Sequence, residues 1–135
     1  LDLFAGTGAL GFEALSRGAE RATFVDSDAR VVRALNASAK TLGVTDSARI
    51  VKARVGATLP RLLLRDAPFD LVFIDPPYAA IDEGMEALRA LTPSLASGAI
   101  VVVEHAKQSP PKELPLPVVA SYEYGVAALA FLENP

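Results

Sequence analysis

The sequence contains no cysteine and a single histidine. The first absence excludes disulfides and thiolate metal sites, and the second leaves little material for any other metal centre. A metal-free protein is therefore expected. Long apolar runs are missing too. The stretch at residues 99–103 is typical and far too short to cross a bilayer core of about 30 Å, so no membrane partner is expected. No charged segment followed by an apolar one opens the chain, so no signal peptide is read and the expected location is cytoplasmic. Charge of one sign is also lacking. The net value of −3 argues mildly against a domain that grips nucleic acid by charge alone. What is present is 135 residues, 51% hydrophobic and 21% charged, which suits one globular domain over residues 1–135. The chain opens at Leu1 inside an apolar strand pattern, so an N-terminal segment is expected to precede it.

Strand-like and helix-like segments alternate. Residues 1–4 read as a short strand, and 9–17 as a helix closed by Gly18. Residues 22–25 form the second strand, after which Asp28 has the character of an N-cap. Val31, Val32, Leu35, Ala39 and Leu42 then share one helical face, and Gly43 stops that helix. Residues 50–53 are a third strand and 59–64 a short helix. Residues 69–74 are a strongly apolar fourth strand. Met85, Leu88, Leu91 and Leu95 recur at helical spacing, with Gly98 expected to end the helix, and residues 99–104 form the fifth strand. Apolar strands separated by helices imply a parallel sheet buried on both faces, the doubly wound α/β architecture. After Glu104 the alternation stops. Pro110, Pro111, Pro115 and Pro117 oppose a helix, and two strands, 118–124 and 126–132, are joined tightly at Gly125. So short a link requires antiparallel pairing.

Gly6-Thr7-Gly8-Ala9-Leu10-Gly11 fits G-x-G-x-x-G, follows a strand and opens a helix. Glycine lets the backbone turn sharply and approach a ligand, and the helix start offers free N–H groups. Asp26 ends the next strand, twenty residues after Gly6. An acid there bonds ribose hydroxyls in nucleotide-binding folds. Loop and acid together indicate a nucleoside-containing cofactor, and both a dinucleotide and S-adenosylmethionine fit them. Asp2, just before the loop, suits a cationic group such as the amino group of a methionine moiety better than a pyrophosphate.

Asp75-Pro76-Pro77-Tyr78 follows the fourth strand. Ligands of doubly wound sheets bind beyond the carboxyl ends of strands. An amino group on an aromatic base is a poor nucleophile because its lone pair is delocalised into the ring. The Asp75 carboxylate can accept one of its N–H bonds and the Pro76 carbonyl the other, which directs the lone pair at an electrophilic methyl. Pro76 and Pro77 fix φ and hold the acceptors in place beforehand. Tyr78 offers a face on which an extruded base can stack. Asp75 acts as acceptor or as base; the residues alone leave that open.

The first nineteen residues, from Leu1-Asp2-Leu3-Phe4-Ala5-Gly6-Thr7-Gly8 through Arg17-Gly18-Ala19, resemble the first motif of the RsmD-like methyltransferases. Phe73-Ile74-Asp75-Pro76-Pro77-Tyr78 resembles their catalytic motif. These are bacterial enzymes that methylate the N2 amino group of a guanine in small-subunit (16S) ribosomal RNA. The resemblance implies a Rossmann-like class I methyltransferase sheet of seven strands, mostly parallel with the last one antiparallel, and S-adenosylmethionine as cofactor. It implies that Asp2, Ala5, Gly6, Thr7 and Gly8 line the methionine end, that Asp26 holds the ribose and that Ser27 lies near the adenine. Asp75, Pro76 and Tyr78 would hold the target amine and base. Where relatives often carry Asp or Asn after the third strand, this chain reads Lys52-Ala53-Arg54-Val55. Arg54 cannot accept a hydrogen bond, and Val55 is counted among the cofactor contacts there. The partner would be ribosomal RNA or a small-subunit particle, met by a monomer.

Other readings stay open. The catalytic motif is shared with DNA adenine and cytosine amino-methyltransferases, although these 135 residues leave no room for a large target-recognition region. A nicotinamide-dependent oxidoreductase would explain the glycine loop but not Asp-Pro-Pro-Tyr. A cofactor- or RNA-binding module without turnover is a third alternative. Arg49, Lys52, Arg54, Arg61 and Arg65 read first as a solvated face and second as a phosphate-contacting edge. His105 reads as structural, Glu104 as a residue near the crevice, and Tyr122 and Tyr124 as packing residues on a strand.

Overall fold

The expected alternation is realised in a computed structural model that describes residues 1–56 and 59–135. The strands are β1 (Asp2–Leu3), β2 (Ala22–Asp26), β3 (Ala48–Lys52), β4 (Phe69–Ile74), β5 (Leu95–Ala106), β6 (Val118–Tyr124) and β7 (Ala127–Glu133), and the helices are α1 (Ala9–Ser16), α2 (Ala29–Thr41), α3 (Pro60–Leu63) and α4 (Ile81–Leu91). Hydrogen bonding orders the sheet β3-β2-β1-β4-β5-β7-β6. β1, β2 and β3 pair in parallel, as do β4 and β5, whereas β7 runs against both β5 and β6. The chain divides into two compact units, Leu1–Val55 and Gly56–Pro135. Within the second unit the reversed strand, β7, thus lies between β5 and β6.

In the first unit, the core forms around Phe24 of β2. Ala22 and Leu35 are buried with it, and Phe12, Leu15, Val31 and Ile50 pack against this cluster. The rings of Phe12 and Phe24 lie 4.6 Å apart, centroid to centroid. This contact explains the third glycine of the loop motif: a Cβ at Gly11 would collide with the Phe24 ring. Helix α1 can approach β2 only where its first turn has no side chain. Helix α2 starts as expected, with the Asp28 side chain accepting from the Arg30 N–H at 2.7 Å. Leu35 and Ala39 of its apolar face are buried, but Leu42 lies at the C-cap and is exposed.

In the second unit, Val72 and Ile74 of β4, Val101 and Val103 of β5, Leu132 of β7 and Leu88 and Leu91 of α4 form the buried core. Two expectations are corrected here. Leu95 does not continue the helix, and Gly98 does not end it. Pro93, which lacks an N–H, turns the chain after Leu91 into a short 3-10 segment, Thr92–Ser94, and Leu95 already begins β5. Leu95 pairs with Phe69, but the next pair is Leu71 with Ile100, so the start of β5 carries an irregularity. Gly98 sits within it at φ +75, donating its N–H to the Asn134 carbonyl at 2.7 Å. The Asn134 side chain in turn donates to the Ala96 carbonyl at 3.0 Å.

The Gly11 contact sets two effects against each other. Gly→Ala inside a helix ordinarily gains about 1 kcal/mol, while overpacking a filled core costs about 1–3 kcal/mol. With Phe24 fully buried, overpacking prevails. Gly11→Ala is expected to destabilise the protein by up to about 2 kcal/mol in urea unfolding, and the added change Phe24→Leu should recover part of that loss. Gly11→Ala alone giving a more stable protein would contradict the packing account.

Candidate active site

The first unit builds a loop held by carboxylates. Gly6 and Gly8 both have positive φ, +53 and +77, and the Gly8 N–H closes the turn on the Ala5 carbonyl at 2.7 Å. A Cβ on Gly8 would also lie 2.6 Å from Leu35. Around Gly6 the space is open, with only the Phe4 carbonyl near a built Cβ, at 3.9 Å. Asp26, at the end of β2, accepts from the Gly6 N–H at 3.1 Å with one oxygen and from the Asp28 N–H at 2.9 Å with the other. Its two carboxylate oxygens have further lone pairs that can accept hydroxyls. Asp2 is 2% exposed, and its Oδ2 accepts from the Gly11 N–H at 3.0 Å. A buried carboxylate is costly unless hydrogen-bonded, and the first turn of a helix is a favourable place for it. Asp2 is therefore a brace between β1 and α1, a role not read from the sequence. Thr7 and Ser27 are exposed, Ala5 is partly buried, and Val55 is buried. Asp2, Gly6 and Asp26 are thus joined through backbone amides around the loop.

The second unit carries Asp75-Pro76-Pro77-Tyr78 directly after β4. The Pro77 carbonyl accepts from the Ala80 N–H at 2.7 Å, starting the 3-10 segment Tyr78–Ala80. Among the described residues no backbone N–H donates to the Pro76 carbonyl, which leaves that oxygen available. Pro76 is buried, and Tyr78 is 56% exposed. Asp75 is exposed, yet partial desolvation, and secondarily the negative charge of Glu104, hold its carboxyl above the ordinary carboxylate range.

Glu104 comes from β5. Ile74 of β4 pairs with Val103 of β5, so Asp75 and Glu104 are the next residues on adjacent parallel strands. Glu104 accepts a hydrogen bond from the Tyr124 hydroxyl at 2.7 Å. That bond, followed by partial desolvation and the charges of Glu104, Asp75 and Tyr78, raises the Tyr124 phenol to about 12. Tyr124 is exposed, and its hydroxyl is tied to the acid beside Asp75. Tyr122 does pack, edge-on against Phe131 at 5.6 Å. His105 has a local contact from Nδ1 to the Ala106 carbonyl, 3.0 Å long. Among the five basic residues, Lys52, Arg54, Arg61 and Arg65 are exposed and Arg49 is partly buried. Among the described residues, no group of three or more His, Cys, Asp or Glu is placed to hold a metal, and no helix is long and apolar enough to cross a membrane.

Residues 1–133 match the family model described as "Conserved hypothetical protein 95". The chain is 34% identical over 142 residues to the Bacillus subtilis protein named "Putative rRNA methyltransferase YlbH", a match covering 99% of this chain and 74% of that protein. It is 34% identical over 112 residues to the ribosomal RNA small subunit methyltransferase D of Haemophilus influenzae, covering 82% of this chain and 58% of that protein. A solved Streptococcus pyogenes structure, titled a conserved hypothetical protein, superposes with a TM-score of 0.81 at 28% identity, covering 99% of this chain and 84% of that one.

The raised carboxyl of Asp75 has a sign that can be worked out. Its native proton affinity exceeds that of the unfolded chain, so stability falls as pH rises from the ordinary carboxylate range through the native value. Asp75→Asn is therefore expected to be at least as stable as the parent at neutral pH, with the difference fading in acid. Glu104→Gln should bring the Asp75 carboxyl, followed by its carbon-13 NMR shift against pH, closer to the ordinary range. An Asp75 titration unmoved by Glu104→Gln would refute the coupling.

Proposed function

The chain belongs to the RsmD-like methyltransferase family, and from that premise we propose that it transfers a methyl group from S-adenosylmethionine to the exocyclic N2 amino group of a guanine in small-subunit (16S) ribosomal RNA. The observation that carries this reading is the strand end at Asp75: an acid, an available Pro76 carbonyl and an exposed Tyr78 ring in four consecutive residues. The H. influenzae relative's name supplies the small ribosomal subunit, and guanine N2 comes from the family resemblance. In this reading a single cytoplasmic chain acts without metal or membrane.

The loop of the first unit fits the cofactor. The backbone at Gly6 is bare of side chains, Asp26 retains lone pairs for ribose hydroxyls, and the start of α1 presents N–H groups. Bound there, S-adenosylmethionine supplies a methyl on a positively charged sulfur. Asp75 accepts one N–H of the target amine and the Pro76 carbonyl accepts the other, drawing the nitrogen lone pair out of conjugation with the ring. Tyr78 supports the base on its aromatic face. Once methylated, the nitrogen is cationic and sheds a proton. Asp75 is the adjacent acceptor, and its raised proton affinity makes it a better base than an ordinary carboxylate. Exposed Lys52, Arg54, Arg61 and Arg65 are candidates for phosphate contacts.

Asp75→Ala in the full-length protein is expected to reduce methyl transfer to 16S ribosomal RNA by a factor of about 100 or more. S-adenosylmethionine affinity, measured by calorimetric titration, should change by less than about threefold, because the loop of the first unit is untouched. The parent protein should bind S-adenosylmethionine saturably and NADH not at all. Transfer surviving Asp75→Ala would remove the assigned role, and binding of NADH alone would remove the methyltransferase reading itself.

A further inference from the structure

Glu104 stands next to Asp75 and lies outside the Asp-Pro-Pro-Tyr motif. Its position follows from the sheet: the pairing of Ile74 with Val103 delivers Asp75, just past the end of β4, beside Glu104 near the end of β5, where adjacent strands run about 5 Å apart. Its orientation follows from the terminal hairpin. β7 pairs Glu104 with Leu129 and Tyr124 with Ala127, and the Tyr124 hydroxyl donates to Oε2 of Glu104 at 2.7 Å. Oε2 is thereby engaged, and among the described residues no hydrogen bond occupies Oε1. Asp75, Tyr78, Glu104 and Tyr124 all interact electrostatically around this point. A second carboxylate here is not needed for accepting the amine, since Asp75 and the Pro76 carbonyl already supply two acceptors.

The edges of the bases show what a third acceptor would do. Guanine presents its N2 amine beside N1–H, two donors in a row. Adenine presents its N6 amine beside N1, and cytosine its N4 amine beside N3; in both, the neighbour is a lone pair. A carboxylate placed beside the amine acceptor bonds the guanine edge and repels the other two. We infer that Glu104 is the residue that selects guanine, by accepting its N1–H through Oε1, and that Tyr124 is a positioning residue that fixes the Glu104 carboxylate. This rests on the guanine-N2 reading above and adds the residue responsible for the choice. Hydrogen bonds to charged groups carry larger energies than neutral ones, so one such contact is sufficient for strong discrimination, and the repelled lone pair adds to it.

The test uses full-length protein and 2,6-diaminopurine, which keeps the N2 amine of guanine but replaces N1–H with a lone pair. The guanine methylated by the parent enzyme is first mapped on 16S ribosomal RNA. An RNA fragment is then made with either guanine or 2,6-diaminopurine at that position. The parent should prefer guanine, and Glu104→Gln, whose amide can donate to a lone pair, should lower the guanine-to-diaminopurine ratio of kcat/KM by about tenfold or more. Tyr124→Phe should lower the same ratio by a smaller factor, about threefold. A loss of fold would depress both substrates together and leave the ratio unchanged, so the ratio isolates recognition. A parent enzyme indifferent to the two bases, or a ratio moved less than twofold by Glu104→Gln, overturns the inference. Should Glu104→Gln fail to fold, Tyr124→Phe decides: an unchanged ratio overturns the inference and a lowered one supports it. Absence of any guanine-N2 product with the parent enzyme overturns the broader reading instead, and the two failures are distinguished at the mapping step.

Discussion

Asp2 begins β1, Asp26 ends β2 and Asp75 follows β4, and the partner each carboxylate finds determines what the surrounding backbone can do. Asp2 takes the Gly11 N–H, and Asp26 takes those of Gly6 and Asp28. In the first unit the amides left unpaired by a tight turn and a helix start therefore satisfy the acids, and the acids in return fix the glycine loop. Asp75 has no such arrangement: among the described residues none donates a hydrogen bond to it, and its neighbour is another acid. A partly desolvated carboxylate beside a like charge is unfavourable in itself, and groups perturbed in this way concentrate where chemistry is done. The same residue type thus serves as a brace in one unit and as an unsatisfied acceptor in the other.

Much of this is legible in the sequence because local causes coincide there. Each glycine of the loop has its own reason, bare backbone at Gly6, a positive φ at Gly8 and ring contact at Gly11, and the fingerprint encodes all three. Asp28 caps α2 as its residue type foretells, and β4 and β6 have the expected bounds. The misread helix end is also local. Leu95 keeps a four-residue spacing from Leu91 and so mimics a helical face, but spacing carries no information about hydrogen bonds, and Pro93 removes a donor between them. Given both signals, the proline is the stronger, because its covalent structure cannot be adjusted by packing.

What the sequence conceals is long-range. Tyr124 and Glu104 are twenty positions apart, and their meeting depends on β7 inserting between β5 and β6. An alternating strand of Ser121, Tyr122, Glu123 and Tyr124 looks uniform along the chain, yet Tyr122 packs on Phe131 while Tyr124 bonds an acid. Only the register separates them. Asp2 is concealed for the converse reason. Its position before the glycine loop suggests a ligand contact, and only the three-dimensional approach of α1 reveals the Gly11 amide that its carboxylate accepts.

The pairing of Asp75 with Glu104 imposes a compromise on the proposed chemistry. In that chemistry Asp75 accepts an amine N–H more strongly as a carboxylate, and desolvation first, then the charge of Glu104, opposes its ionisation. An acid held above its ordinary range is also the better proton acceptor once the nitrogen becomes cationic. Desolvation and Glu104 together thus weaken the resting acceptor and strengthen the later base. A base edge with two adjacent donors relieves the conflict, because each N–H that enters neutralises part of the repulsion between the carboxylates. A base with one donor and one lone pair relieves only half of it and meets new repulsion at the other half. In the proposed reaction, selectivity for the two-donor edge and activation of the amine would therefore draw on the same electrostatic strain.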